Sequence, residues 1–244
     1  MKDYLKRIFI VHKCVSCRKI LEYNEFHSAF CSSCRELYLA SKMAICPECS
    51  LEAEKCGCMP SFLKKDKALG LRRLFFYDKK KSGEPQNRLI YYLKRNKSKR
   101  ASFFVARELT SLINAERARL DSDGELVILA LPRSRRAFFE YGFDQVDMLC
   151  RAVSELSSIE YCKKLIRRRK GRQQKKLTAG ERRKNIKNLI YLDKNEIERI
   201  KGKTVILIDD VVTTGASMSA CIQALKEQGI KNVVCIAIAS DIKT

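Results

Sequence analysis

Three uninterrupted apolar runs of strand length stand out in the second half of the chain. They are Leu126–Leu131, ended by Pro132, then Val205–Ile208 led in by Thr204, and Val233–Ala239. A run that is apolar at every position, without alternation, is the pattern of a strand buried on both faces. Helical spacing separates the runs. Val146, Leu149, Cys150 and Val153 recur at i, i+3, i+4 and i+7, and Met218, Cys221, Ile222 and Leu225 repeat the stripe before Gly229 closes that helix. Strand, helix, strand predicts a parallel α/β sheet. Upstream, residues 86–96 and 102–120 are also expected to be helical, the second ending at the polar turn 121–124.

The first quarter of the chain carries a different signal. Eight of twelve cysteines fall between residues 14 and 58, as Cys14-x-x-Cys17, Cys31-x-x-Cys34, Cys46-x-x-Cys49 and Cys56-x-Cys58, while the other four are single at 150, 162, 221 and 235. A tight Cys-x-x-Cys turn puts two thiolates on one metal, and four thiolates close a tetrahedral Zn²⁺ shell with no open position for chemistry. Two structural zinc sites are expected. Sequential grouping into two ribbons is favoured, although spacing alone also permits a cross-brace. A segment this short and poor in large apolar residues would draw its folding free energy from the metal. The expected division is a zinc module over residues 1–62 and a sheet domain over 63–244.

Charge changes this picture. The chain has 244 residues, 50 Lys+Arg against 28 Asp+Glu, and a formal net charge of +22. The excess is concentrated, +11 over residues 63–100 and +12 over 163–187, which is the footprint expected for a polyanionic partner. With 45% apolar residues the chain is globular in composition. Its longest apolar run is far below the ~18 residues of a membrane span, and residues 1–11 lack the length of a secretory leader. A cytoplasmic location with reduced thiols is expected.

In a doubly wound sheet the ligand lies beyond the carboxyl ends of the strands. After Ile208 come Asp209, Asp210, Val211, Val212, Thr213, Thr214, Gly215, Ala216 and Ser217, leading into a helix. Adjacent carboxylates can accept hydrogen bonds from vicinal hydroxyls or hold hydrated Mg²⁺. The turn offers hydroxyls and backbone N–H groups at a helix N-terminus, with a glycine for close approach, and so suits a phosphate. Diol plus phosphate describes a ribose 5-phosphate. After Leu131, Arg133, Ser134, Arg135 and Arg136 are placed to clamp a diphosphate. Neither a Walker A loop nor a Gly-x-Gly-x-x-Gly fingerprint occurs, which argues against an ATPase or a dinucleotide enzyme.

The segment Val205–Ser217 resembles the phosphoribosyl pyrophosphate (PRPP) signature of type I phosphoribosyltransferases. The Cys-rich start, Leu131–Arg136 followed by Tyr141-Gly-Phe-Asp-Gln145, and the basic run Arg167–Asn185 resemble the ComF family, competence-associated members with an N-terminal double zinc ribbon. The resemblance covers nearly the whole chain. It implies a type I phosphoribosyltransferase fold, a parallel sheet flanked by helices with a small zinc-ribbon module. It places Asp209 and Asp210 at the ribose hydroxyls and Mg²⁺, Thr213–Ser217 at the 5-phosphate, and Arg133, Arg135 and Arg136 at the pyrophosphate, with Val211, Val212 and Ser134 completing the PRPP-binding residues. It makes residues 167–185 a loop closing over the site. Ser217 stands where threonine is common, and Tyr141 and Asp144 replace the usual arginine and asparagine.

The family name implies handling of single-stranded DNA in natural transformation, with DNA-uptake or recombination proteins as partners. Arg167, Arg168, Arg169, Lys170, Arg172, Lys175, Lys176, Arg182 and Arg183 are the expected nucleic-acid contacts. Phe75, Phe76, Tyr77, Tyr91 and Tyr92, interleaved with the first basic stretch, could stack on bases. The alternative is an active transferase that moves ribose 5-phosphate from Mg-PRPP to an unidentified acceptor.

Overall fold

The computed structural model describes residues 11–120, 124–133, 135–169 and 188–241. The three apolar runs are strands: β2 (Leu126–Ala130), β6 (Thr204–Val212) and β7 (Val233–Asp241). They are joined by β1 (Gly70–Tyr77) and the short β3 (Glu160–Tyr161) in one five-stranded sheet of order β1-β7-β6-β2-β3, every pairing parallel. An antiparallel pair, β4 (Ile166–Arg168) with β5 (Ile190–Leu192), stands apart from it.

Alternation along each strand divides the interior in two. Ile206, Ile208, Val234, Ile236 and Ile238 face one core, and Val205, Leu207, Val233 and Cys235 face the other. The helices follow that division. In chain order they are α1 (Ser32–Lys42), α2 (Ser61–Lys65), α3 (Pro85–Arg95), α4 (Lys99–Arg119), α5 (Arg135–Tyr141), α6 (Gln145–Ser157), α7 (Lys194–Ile197) and α8 (Ala216–Glu227). The stripe Val146, Leu149, Cys150 and Val153 of α6 enters the first core, and Met218, Cys221, Ile222 and Leu225 of α8 enter the second. The chain therefore leaves β2 toward one face and β6 toward the other. That reversal opens a crevice between their carboxyl ends, where ligands sit in folds of this kind.

β1 corrects one expectation. Phe75 and Phe76, offered above as stacking surfaces, are 0% and 7% exposed, because β1 pairs along its length with β7 and lies under packed elements on both faces. The neighbouring arginines are also structural. Arg72 pairs with the buried Glu116, and Arg73, 3% exposed, donates to the Cys58 carbonyl.

The Cys-rich segment is not a separate bead. Phe30 and Tyr38, both fully buried, pack their rings on Phe104 and Phe75, so the first ribbon shares a core with the sheet domain. The division expected after residue 62 falls inside α2. Among the described residues no helix is long and apolar enough to cross a membrane.

Candidate functional site

At the end of β6 the chain turns into α8 through Gly215, whose φ of +73° lies in the left-handed region. A Cβ there would also meet Leu63 at 3.0 Å and Pro60 at 3.3 Å. Glycine is thus required twice, for its conformation and for the close approach of α2 beneath the turn. Gly215→Ala is expected to cost about 1–2 kcal/mol of strain, read as a fall in Tm of roughly 3–6 °C. Above this floor Asp209 and residues 211–218 line a cavity of about 50 Å³. Thr213 and Thr214 are exposed at its rim, and the Thr214 Oγ1 accepts from the Ala216 N–H at 3.3 Å. The backbone N–H groups of the first turn of a 12-residue helix border this space, so it suits a phosphate.

The two acids at the strand end occupy different surroundings. Asp210 lies on the face of the first core, 3.3 Å from the Lys94 ammonium, and accepts from the amide of Gln145, which is 1% exposed. Asp209 has no cation in contact among the described residues. Burial and the neighbouring Asp210 charge push its carboxyl well above the usual range. A carboxyl so placed gains most from a ligand that brings positive charge or hydroxyl donors. Tyr77, at the end of β1, borders the same region. Burial and the Tyr91 hydroxyl beside it push its phenol up to about 12, so it stays a donor at neutral pH.

Across the crevice, the Leu131 N–H donates to the Ile208 carbonyl at 2.9 Å, which ties the loop after β2 to β6. The Arg133 guanidinium donates to the Phe143 carbonyl at 3.3 Å and lies 5.4 Å from the Tyr141 ring centroid, contacts within its own loop. Arg135 and Arg136 open α5 at the carboxyl end of β2. Their side chains, and Ser134, lie outside the described residues. Asp144 caps α6 by accepting from the N–H groups of Val146 (2.9 Å) and Asp147 (3.2 Å), which aims Gln145 at Asp210.

The eight cysteines form two clusters, Cys14, Cys17, Cys31 and Cys34, then Cys46, Cys49, Cys56 and Cys58, with the four sulfurs of each within 4.8 Å of one another. Grouping is sequential. A tetrahedral zinc with Zn–S bonds of about 2.3 Å sets sulfurs about 3.8 Å apart, close to the 3.6 Å of the Cys17–Cys31 and Cys49–Cys56 pairs. Four thiols at that spacing fit the ion, and each cluster can hold a structural zinc.

The two clusters begin on the same local structure. The N–H groups of Arg18 and Ser50 donate to the carbonyls of Cys14 and Cys46, both residues have positive φ, and each turn is closed by a β-bridge, Lys13 with Ile20 and Ile45 with Glu52.

A profile of the phosphoribosyl transferase domain family matches residues 98–244. The chain belongs to that family. DNA utilization protein YhgH of Escherichia coli O157:H7 is 28% identical over 225 residues, 90% of this chain and 93% of its own. Competence protein F of Haemophilus influenzae is 26% identical over 238 residues, 92% of this chain and 95% of its own. A hypoxanthine/guanine phosphoribosyltransferase of Methanotorris igneus is 48% identical over 52 residues, 20% of this chain and 26% of its own. The ComF resemblance is thereby borne out, as is the phosphoribosyltransferase fold with its Cys-rich start. The chain is a phosphoribosyltransferase-like protein with a Cys-rich N-terminal segment.

Within this family frame the expected site residues divide into groups. Asp209 and residues 211–217 converge on one cavity edge, and Asp210 points to the first-core face. Of the basic run, Arg167 is paired with Asp193 at 2.8 Å, Arg168 is half-buried on β4, and Arg169 lies 5.1 Å from the Tyr191 ring. Lys170, Arg172, Lys175, Lys176, Arg182 and Arg183 lie outside the described residues. Lys94 and Gln145, which hold Asp210, were not singled out in the sequence. Lys94 is one lysine among many in a basic stretch, and only the quoted Gly-Phe-Asp-Gln motif hinted at Gln145.

Proposed function

We propose that the protein binds Mg-PRPP in the crevice between β2 and β6 and handles single-stranded DNA during natural transformation. The observation that carries the first half is the joint placement of Asp209 and the Gly215 turn around one small cavity at the switch point, with Asp210 beside it at the end of β6, held by Lys94 and Gln145. In this reading the N–H groups and hydroxyls of 213–217 cradle the 5-phosphate. The two carboxylates take the ribose hydroxyls, with Lys94 and Gln145 fixing Asp210, and Arg135 and Arg136 meet the pyrophosphate. Bound Mg²⁺ would neutralise phosphate charge beside Asp209. Calorimetric titration of Mg-PRPP into the purified protein tests this directly, and absence of heat refutes it. Release of pyrophosphate on adding a base or a DNA end would make the protein a transferase as well.

The second half is supported by the two basic stretches and by relatives named for DNA utilization and competence. Uptake or recombination proteins are the partners this role would require. The thiol-rich composition suits the reducing cytoplasm. With about six phosphates neutralised, the affinity for a dT oligonucleotide is expected to fall with salt at a log–log slope of about −4. Fluorescence anisotropy between 50 and 200 mM salt measures it, and a slope near zero would exclude a phosphate-tracking site.

A further inference from the structure

The docking of the first ribbon leaves a surface that the sugar-phosphate site does not use. Between the ribbon and the start of α4 lies a cavity of about 610 Å³, within the roughly 300–1,000 Å³ of sites for drug-sized ligands. One side is aromatic. Phe26 meets His12 edge-on at 5.2 Å and Tyr23 at 5.7 Å, and Tyr23 and Phe103 are 72% and 39% exposed.

The other side is cationic, formed by Lys99, Arg100 and Arg107. Arg107 donates to the His27 carbonyl at 2.9 Å, and Arg100 to the carbonyls of Lys13 (2.8 Å) and Ser28. Carbonyl acceptors orient a guanidinium without cancelling its charge. Several cations elsewhere are matched, Lys42 by Glu108, Arg119 by Glu116 and Lys163 by Asp147. Here, among the described residues, no carboxylate pairs with these three cations or lines the cavity.

Exposed aromatic faces beside uncompensated cations are what a sequence-tolerant single-strand site needs, because bases stack on the rings and phosphates meet the charge. We infer that the groove between the first ribbon and α4 is a single-stranded DNA subsite, with bases against Phe103 and Tyr23 and phosphates toward Lys99 and Arg107. This rests on the DNA-handling reading above and gives it a location on the ribbon face. A duplex, whose bases are already stacked and paired, presents no ring to the aromatic side.

The test is anisotropy of a labelled dT20 strand on the full chain. Phe103→Ala with Lys99→Gln should weaken binding about tenfold and reduce the salt slope by about 0.7, with Mg-PRPP titration unchanged. A companion variant, Lys175→Gln, Lys176→Gln, Arg182→Gln and Arg183→Gln, separates the basic run from the groove. Photocrosslinking a bromodeoxyuridine-substituted strand to the unaltered protein should label the peptides holding Tyr23 or Phe103, whatever the variants' folding. If the protein binds dT20 but the groove variant keeps wild-type affinity and slope, or crosslinks fall only within 167–183, the groove assignment is overturned and the DNA-handling reading stands. Equal affinity for a duplex overturns the assignment as well. If the protein binds no single strand at all, both fall.

Discussion

Asparagine at both 209 and 210 is expected to weaken Mg-PRPP binding by at least a hundredfold in calorimetric titration. Each position would lose a charged acceptor, and hydrogen bonds to charged groups are worth about 1.5–3 kcal/mol apiece, so the pair accounts for about 3–6 kcal/mol. The Asp210 change would also leave the Lys94 ammonium, now 3.3 Å from a carboxylate, facing a neutral amide. The single change at Asp209 makes a second, opposite prediction. Burial and Asp210 hold this carboxyl well above its unfolded value. A carboxyl whose folded pKa is raised loses stability as pH climbs from the unfolded pKa to the folded one, and at neutral pH that cost is present. Asp209→Asn removes it. Its Tm at pH 7 should rise by about 2–6 °C, and the difference should shrink as pH falls toward about 4. A variant that binds Mg-PRPP normally, or that melts lower than wild type at pH 7, would contradict the assignment of Asp209 as a strained ligand group.

The contrast between Asp209 and its surroundings also explains which features were legible in the amino-acid order. β2, β6 and β7 announce themselves because strands buried on both faces need apolar side chains at every position. The phosphate turn is equally local, since acids, hydroxyls and glycine stand in the order in which they are used. β1 is hidden because Arg72 and Arg73 interrupt its apolar pattern. Their partners, Glu116 and the Cys58 carbonyl, are 44 and 15 residues away, and nothing near them in sequence marks them as buried. The support of Asp210 is hidden for the same reason, with Lys94 and Gln145 arriving from helices on separate segments. Cluster grouping was open on spacing alone. It is settled by the fold, which brings the sulfurs of Cys14, Cys17, Cys31 and Cys34 together and those of Cys46, Cys49, Cys56 and Cys58 together, a long-range closure that spacing does not encode.

The second cluster is expected to matter to the sugar-phosphate site, and the first is not. Cys58 is followed by Met59 and Pro60, and Pro60 and the fully buried Leu63 form the floor beneath Gly215. Asp66, just after α2, accepts from Gln223 at 2.9 Å and from Ser219, and its carbonyl accepts from Lys226 at 2.7 Å, which pins α2 along α8. Buried Arg73 reaches from β1 to this cluster, donating to the Cys58 carbonyl, and has no carboxylate partner among the described residues. The thiolates of a loaded site would offset its charge. Losing that metal would release the chain that backs the phosphate turn and strand a buried cation. The first cluster is tied instead to α3 and α4, through Arg88, Arg100 and Arg107. Cys46→Ser with Cys49→Ser should therefore lower Mg-PRPP affinity at least tenfold, together with loss of one zinc per chain by metal analysis. Cys14→Ser with Cys17→Ser should lose the same amount of metal and lower Tm, yet keep Mg-PRPP affinity within about threefold. Equal effects of the two pairs on affinity would mean that the ribbons support the domain only as a whole, with no route from the second cluster to Gly215.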